Sequence, residues 1–232
     1  MNRITQFSIV DRSLSPAEAE VWVLTGADSM TPATELRGRL VGPTCLYSTT
    51  IEVAYPLRPL PQPVPGLPTL ARRVNVPEPS FWDPVAPFLY HGIVELWHDG
   101  QCCDRRTFRH GFRDARVDGG KVIWNGKPLK LSVIDRSELT AAELPGLRQS
   151  GANALVLPGE AEPLWHAAER LGFVVIGRAA EPRPEWLELT KSPACLGWLI
   201  PKNANDREWV AWKAEITRTR RWVGREDEIR VG

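Results

Sequence analysis

Short runs in which apolar and polar positions alternate with a period of two fill the chain from its start to about residue 112. Ile4 to Val10, Glu20 to Gly26, Glu35 to Val41, Cys45 to Tyr55, Thr69 to Val76, Phe88 to His98 and Cys102 to Phe112 are rich in β-branched and aromatic residues. Such residues suit a half-buried pleated surface, so these runs are predicted strands. Turn residues separate them, and His98-Asp99-Gly100-Gln101 reads as a hairpin because Asp-Gly tolerates the positive φ of a two-residue loop. Seven strands in this length predict a β-sandwich. Between the fourth and fifth lies Pro56 to Pro68, with six prolines at near-alternate positions. Fixed φ and missing donors favour a stiff polyproline II surface loop there. Read as a ligand, Arg58-Pro59-Leu60-Pro61 would suit an SH3-type groove, but nothing else in the chain points to signalling.

After Lys127 the pattern changes to strand and helix in alternation, the signature of a parallel sheet. The strand Pro128 to Ile134 leads to a helix from about Thr140 to Gln149, and Ala152 to Pro158 leads to a helix over Ala161 to Leu171, closed by Gly172. The strand Phe173 to Gly177 leads to a short helix near Pro184 to Leu189, and Ala194 to Ile200 leads to a long helix from Asp206 to about Trp222. Four βα units are therefore expected.

Composition adds bounds. The 232 residues are 43% hydrophobic and 25% charged with ten Trp, enough to build a real core and more typical of two modest domains than of one. Twenty-nine Lys plus Arg against 28 Asp plus Glu give a formal charge of +1, so no global field steers the chain toward nucleic acid or anionic membrane. The N-terminal residues lack a secretory pattern and no apolar run approaches a membrane span, so a cytoplasmic location is expected. Cys45 and Cys195 are isolated and Cys102-Cys103 adjacent, which favours structural thiols over a disulfide framework. A strained vicinal disulfide is the lesser alternative. His91, His98, His110 and His166 lack metal-ligand spacing, and no phosphate-binding loop occurs, so no metal or cofactor is expected.

An ordered series of short motifs then carries a resemblance. Trp82-Asp83-Pro84-Val85-Ala86-Pro87-Phe88-Leu89-Tyr90 is followed by Gly111-Phe112-Arg113 and by Asn125-Gly126-Lys127-Pro128-Leu129-Lys130-Leu131. Downstream stand Gly151-Ala152-Asn153-Ala154 and Leu171-Gly172-Phe173-Val174-Val175-Ile176. Over roughly residues 75 to 203 the chain resembles glycoside hydrolase family 2, which includes β-galactosidases, β-glucuronidases and β-mannosidases. The resemblance implies a fold class of all-β plus α/β: an immunoglobulin-like β-sandwich at 1–113, a junction at 114–127, and an incomplete TIM-barrel-like domain of four βα units at 128–232. The shared motifs also have a local reading: Asn125-Gly126 supplies a tight turn, and Trp82 with Tyr90 can fill a sandwich end.

The positions that would carry chemistry differ. Retaining glycosidases use two carboxylates about 5–5.5 Å apart at the C-terminal ends of barrel strands. The resemblance places the acid/base glutamate after an asparagine at the fourth strand, where this chain has Trp198-Leu199-Ile200-Pro201-Lys202-Asn203, so Asn203 occupies that position. A neutral amide cannot exchange a proton near neutral pH. The nucleophile of the family comes from a seventh strand, beyond the four units read here. At the first strand end stand Asp135, Arg136, Ser137 and Glu138; at the second, Val156-Leu157-Pro158-Gly159 replaces a polar run; at the third, Gly177-Arg178 replaces an acidic pair.

No catalytic residue is therefore assigned. Asp135, Arg136, Glu138 and Asn203 are the candidate residual sugar-binding residues, against the alternative of a solvated loop in which Ser137 or Thr140 caps the next helix. The expected function is a truncated, non-catalytic relative acting as a binding or assembly module. The alternatives are carbohydrate binding at the residual barrel mouth and an active glycosidase completed by another chain. Expected partners are a carbohydrate, or a second copy or other protein pairing with open sheet edges. Lys213, Arg218, Arg220, Arg221 and Arg225 beside Trp209, Trp212 and Trp222 could suit single-stranded nucleic acid, but Trp209, Trp212 and Ile216 fall on one helical face, which favours packing.

Overall fold

In the computed structural model, which describes residues 2–62, 70–219 and 221–224, the alternating runs of the first half pair into two antiparallel sheets. The strands are β1 (Ile4–Leu14), β2 (Glu18–Ala27), β3 (Thr34–Thr44), β4 (Val53–Pro56), β5 (Arg58–Pro59), β6 (Arg72–Pro77), β7 (Leu89–His98) and β8 (Gln101–His110). One sheet runs β1-β2-β6-β5 and the other β4-β3-β7-β8. The two-residue period decides which side chains meet between them: Ala19, Val21, Val74 and Val76 from the first sheet pack with Leu40 and Tyr90 from the second and with Phe112. A second cluster joins Ile4, Val23, Leu36, Leu70, Val94 and Leu96. This is a β-sandwich, as the alternation predicts.

The predicted hairpin is present, with Asp99 at φ 48° and Gly100 at φ 76° joining β7 to β8. The run Cys45 to Tyr55 is not one strand, since only its end is in β4 and Cys45–Ser48 groups with the second unit of the chain. Within the proline-rich stretch, Arg58–Pro59 pairs as a strand with β6, because Pro59 at a sheet edge forfeits no ladder bond. Residues 63–69, which carry the rest of that stretch and the start of the Thr69 run, lie outside the described residues. All four cysteines are free, Cys102 exposed and Cys195 buried.

The second compact unit comprises Cys45–Ser48, Phe81–Phe88 and Arg113–Gly232. Residues 114–127, the expected junction, lie largely in an antiparallel sheet of β9 (Ala115–Asp118), β10 (Lys121–Trp124) and β11 (Lys127–Leu129). Asn125 at φ 47° and Gly126 at φ 78° make the tight turn between β10 and β11 that the sequence predicts. The predicted strand Pro128 to Ile134 is therefore split, its first part in β11 and its last in β12 (Val133–Asp135). Trp82 belongs to this unit and not to a sandwich end: its fully buried ring lies 5.3 Å from Trp124, its Nε1–H donates to the Glu169 carbonyl, and its own carbonyl accepts from Trp124 Nε1 and Asn125 Nδ2.

From β12 onward the chain alternates as expected through α1 (Leu144–Gln149), β13 (Ala154–Pro158), α2 (Glu162–Leu171), β14 (Val174–Arg178), a 3₁₀ helix (Pro184–Lys191), β15 (Cys195–Leu199) and α3 (Arg207–Arg218). Helix α1 is shorter than the predicted Thr140 to Gln149 and takes no side-chain cap from Ser137 or Thr140. Instead Glu143 accepts from the Thr140 backbone N–H and hydroxyl, which folds 140–143 into a turn. Gly172 closes α2 in the left-handed conformation at φ 73°. Helix α3 starts at an Asp206 cap that accepts from Trp209 N, but it stops at Arg218, and Trp222 opens a further strand, β16 (Trp222–Gly224). The result is a five-stranded parallel sheet in sequential order, β12-β13-β14-β15-β16. Arg220 and Arg225 of the basic cluster lie outside the described residues. Trp209, Trp212 and Ile216 are buried, in accord with a packing face. No helix among the described residues is long and apolar enough to cross a membrane.

Candidate functional site at the C-terminal strand ends

In parallel sheets ligands bind beyond the carboxyl ends of the strands, so the ends of β12 to β15 define the candidate site. Register decides which side chains share a face. Asp135 pairs with Val156, and Val156 with Ile176, so Asp135, Val156, Ile176 and, two residues on, Arg178 share one face. Leu157, Gly177 and Trp198 share the other.

On the first face Asp135 is clamped. Arg178 Nη1 donates to its Oδ1 at 2.9 Å and Nη2 to its Oδ2 at 2.8 Å, a parallel fork that spans from β12 to β14 across β13. Arg136 turns away to Glu143, with Nη2 donating at 2.9 Å to Oε1. The Thr140 N–H, the Thr140 hydroxyl and Arg136 hold the Glu143 carboxyl below the usual glutamate range, so it stays ionised and keeps Arg136 engaged. Glu138, in a bend, and Asn203, in a turn, are both exposed, and neither side chain makes a hydrogen bond or ion pair among the described residues. Asn203 contributes only its carbonyl, which accepts from Asn205 N at 2.8 Å. Of the four sequence-derived candidates, Asp135 and Arg136 are thus bound into separate internal pairs, and no hydrogen bond or ion pair joins Glu138 or Asn203 to them among the described residues.

On the second face the strand ends are filled by indole rings. Trp198 is fully buried, stacks on Trp165 of α2 at 5.4 Å and on Trp186 of the 3₁₀ helix at 6.0 Å, and meets Trp212 of α3 edge-on at 5.3 Å. Trp165 Nε1 donates to the Pro158 carbonyl at 3.1 Å and Trp212 Nε1 to the Arg183 carbonyl at 2.9 Å, which fixes the rings. Two glycines make room for this cluster. A Cβ on Gly159 would overlap the Trp186 indole, and one on Gly177 would overlap Trp198. Gly159 and Gly177, at the second and third strand ends that read from sequence as lost polar contacts, are therefore packing positions.

Sequence reasoning missed Arg178 as the partner of Asp135. The available signal was opposite charge at the ends of two strands that a parallel sheet brings close. It also missed the four-indole stack, because Trp165, Trp186, Trp198 and Trp212 come from four different elements.

Comparison with known proteins agrees with this architecture. The family model described as Glycosyl hydrolases family 2 matches residues 45–113. Among solved structures, a β-glycosidase from Bacteroides vulgatus aligns over 96% of this chain and 33% of its own, with TM-score 0.69 and 14% identity. A glycosyl hydrolase family 2 member from Bacteroides cellulosilyticus aligns over 96% and 35%, with TM-score 0.66 and 19% identity. A putative β-galactosidase from Bacteroides fragilis aligns over 96% and 40%, with TM-score 0.62 and 18% identity. At these identities the structures show a shared fold, and the chain spans about a third of the length of the first two. The resemblance to glycoside hydrolase family 2 read from the motifs is thereby supported by both comparisons.

Proposed function

We propose, proceeding from the glycoside hydrolase family 2 resemblance, that this chain is a non-catalytic relative whose β-sandwich and parallel sheet, the latter corresponding to the first strands of a (β/α) barrel, serve as a binding or assembly module. The observation that carries the reading is the Asp135–Arg178 fork. A strand-end carboxylate that could act on a sugar is neutralised by a guanidinium standing where the resemblance implies an acidic pair. Asn203 stands where it implies the acid/base glutamate, and an amide cannot supply a proton there. The Trp165–Trp198–Trp186 stack supports the same reading, since Gly159 and Gly177 at the second and third strand ends are given over to making room for it.

A second reading, carbohydrate binding without turnover, is favoured by Glu138 and Asn203, whose exposed side chains keep hydrogen-bonding capacity at the strand ends. A third, an active glycosidase completed by another chain through the sheet's outer strands β12 and β16, is tested by the same experiment.

The purified chain is screened by thermal shift against galactose, glucuronate, mannose and their oligosaccharides, with hydrolysis of the matching nitrophenyl glycosides assayed in parallel. The non-catalytic assembly reading expects neither a saturable shift nor turnover. A ligand at a hundred times its Kd stabilises a fold by about 2.7 kcal/mol, so specific binding would register. A saturable shift without turnover selects the second reading. Turnover lost in Glu138→Gln overturns the claim of inactivity.

A further inference from the structure

The sandwich has a cavity of its own. Where the chain passes from β4 to β5, and so from one sheet to the other, Tyr55, Pro56, Arg58, Arg73 and Asn75 line a cavity of about 270 Å³. Its chemistry is one-sided. Arg58 pairs directly with Arg73 in the antiparallel register of β5 and β6, so the two guanidinium-bearing side chains stand on the same face of the sheet. Like charges placed directly opposite in a sheet repel each other.

One carboxylate offsets part of that repulsion: Arg73 Nη1 pairs with Glu20 Oε2 at 3.4 Å, while Glu20 Oε1 accepts from Trp22 Nε1 at 2.5 Å. Arg73 Nε is buried from solvent with no hydrogen-bond partner among the described residues. The side chains of Arg58, Tyr55 and Asn75 make no hydrogen bond among the described residues either. A third cation, Arg12, lies over the neighbouring Trp22 ring at 4.5 Å, and Trp22 pairs with Arg73 across β2 and β6. The guanidinium of Arg58, the amide of Asn75 and the phenol of Tyr55 therefore line one cavity without a protein acceptor among the described residues, next to an Arg73 Nε–H that is buried and unsatisfied.

We propose that this cavity is a binding site for a small oxyanion, bridged by Arg58 and Arg73 and hydrogen-bonded by Asn75 and the Tyr55 hydroxyl. An anion between the two guanidinium groups converts a like-charge pair into two charge-assisted contacts, and a planar or tetrahedral oxyanion matches the fork of donors each arginine presents. The cavity has room for more than the anionic group alone, so the ligand class extends from inorganic sulfate to a carboxylate on a six-carbon sugar acid.

The test is calorimetric titration of the full chain with sodium sulfate and, separately, sodium gluconate, at constant ionic strength set with chloride, for the unmodified protein and for Arg58→Gln, Arg73→Gln and Arg105→Gln. Arg105 is an exposed arginine of β8 that serves as a control for general surface charge. Arg58 is exposed, so R58Q is expected to fold, which circular dichroism checks. The expected result is saturable one-to-one binding of at least one anion, weakened tenfold or more in R58Q and R73Q and unchanged in R105Q. Sulfate binding alone identifies a free tetrahedral anion as the ligand, and tighter gluconate binding identifies a sugar acid. Binding of neither anion, or binding equally strong in R58Q, overturns the proposal.

Discussion

Asp135 and Arg178 face each other across β13, joined by two parallel hydrogen bonds of 2.9 and 2.8 Å. Both side chains are close to half exposed, at 47% and 40%. Water and salt screen such a pair, so its worth is small even with good geometry, about 0.2–1 kcal/mol. A double-mutant cycle of Asp135→Asn and Arg178→Gln read by urea denaturation should give a coupling energy in that range that shrinks as salt is raised. A coupling of zero at low salt would show that the fork does not persist in solution.

The indole stack is a different kind of object. Trp198 is wholly buried among Trp165, Trp186 and Trp212, and truncating a core aromatic of this kind costs about 3–5 kcal/mol. Trp198→Ala should lower the urea midpoint of the second unit accordingly and change its near-ultraviolet circular dichroism. A loss below about 1 kcal/mol would contradict the stack, given what cavities of this size cost.

Gly172 sits at φ 73°, and a Cβ there would overlap the Pro84 carbonyl. Gly172→Ala therefore meets both backbone strain and a steric clash and should destabilise by more than about 1 kcal/mol. Differential scanning calorimetry checks this, and an unchanged Tm would mean that the segment carrying Pro84 does not lie against the end of α2.

Asp104 ties β1 to β8. Its carboxylate accepts from Ile4 N at 2.8 Å and from Arg105 N at 2.8 Å, and these bonds, the one from Ile4 foremost, hold its pKa below the usual aspartate value against the opposing effect of burial. A depressed folded pKa gives stability that is fully present above the unfolded value, about 3.9, and is lost as pH falls through the folded one. The unmodified protein should therefore lose stability in acid more steeply than Asp104→Asn, with the difference confined to the region below pH 4 or so. Urea midpoints measured against pH would decide it, and parallel curves for the two proteins would refute the assignment.

Much of the architecture was legible in the amino-acid sequence because the signals involved are local. Alternation in Glu20 to Gly26 and in Phe88 to His98 places every second side chain on one face, so a sandwich follows without knowledge of partners. Asp99-Gly100 and Asn125-Gly126 make tight turns because of their own backbone preferences, and Gly172 ends a helix for the same reason. The order of strand and helix after Lys127 likewise implied a parallel sheet.

Tertiary structure decided whatever depends on residues distant in sequence. The run Pro128 to Ile134 divides between two sheets because its halves find different partners, β10 for Lys127–Leu129 and β13 for Val133–Asp135. Trp222, read from sequence as the approximate end of the last helix, instead enters a strand beside Gly197, whose missing side chain lets the Trp222 backbone approach. Trp82 fills the second unit rather than a sandwich end because its hydrogen-bond partners, Glu169 and Asn125, lie there. The reading of Asp135 changed in the same way. Its type and position were visible in the sequence, but its neutralisation by Arg178, 43 residues away, exists only once three parallel strands set their register.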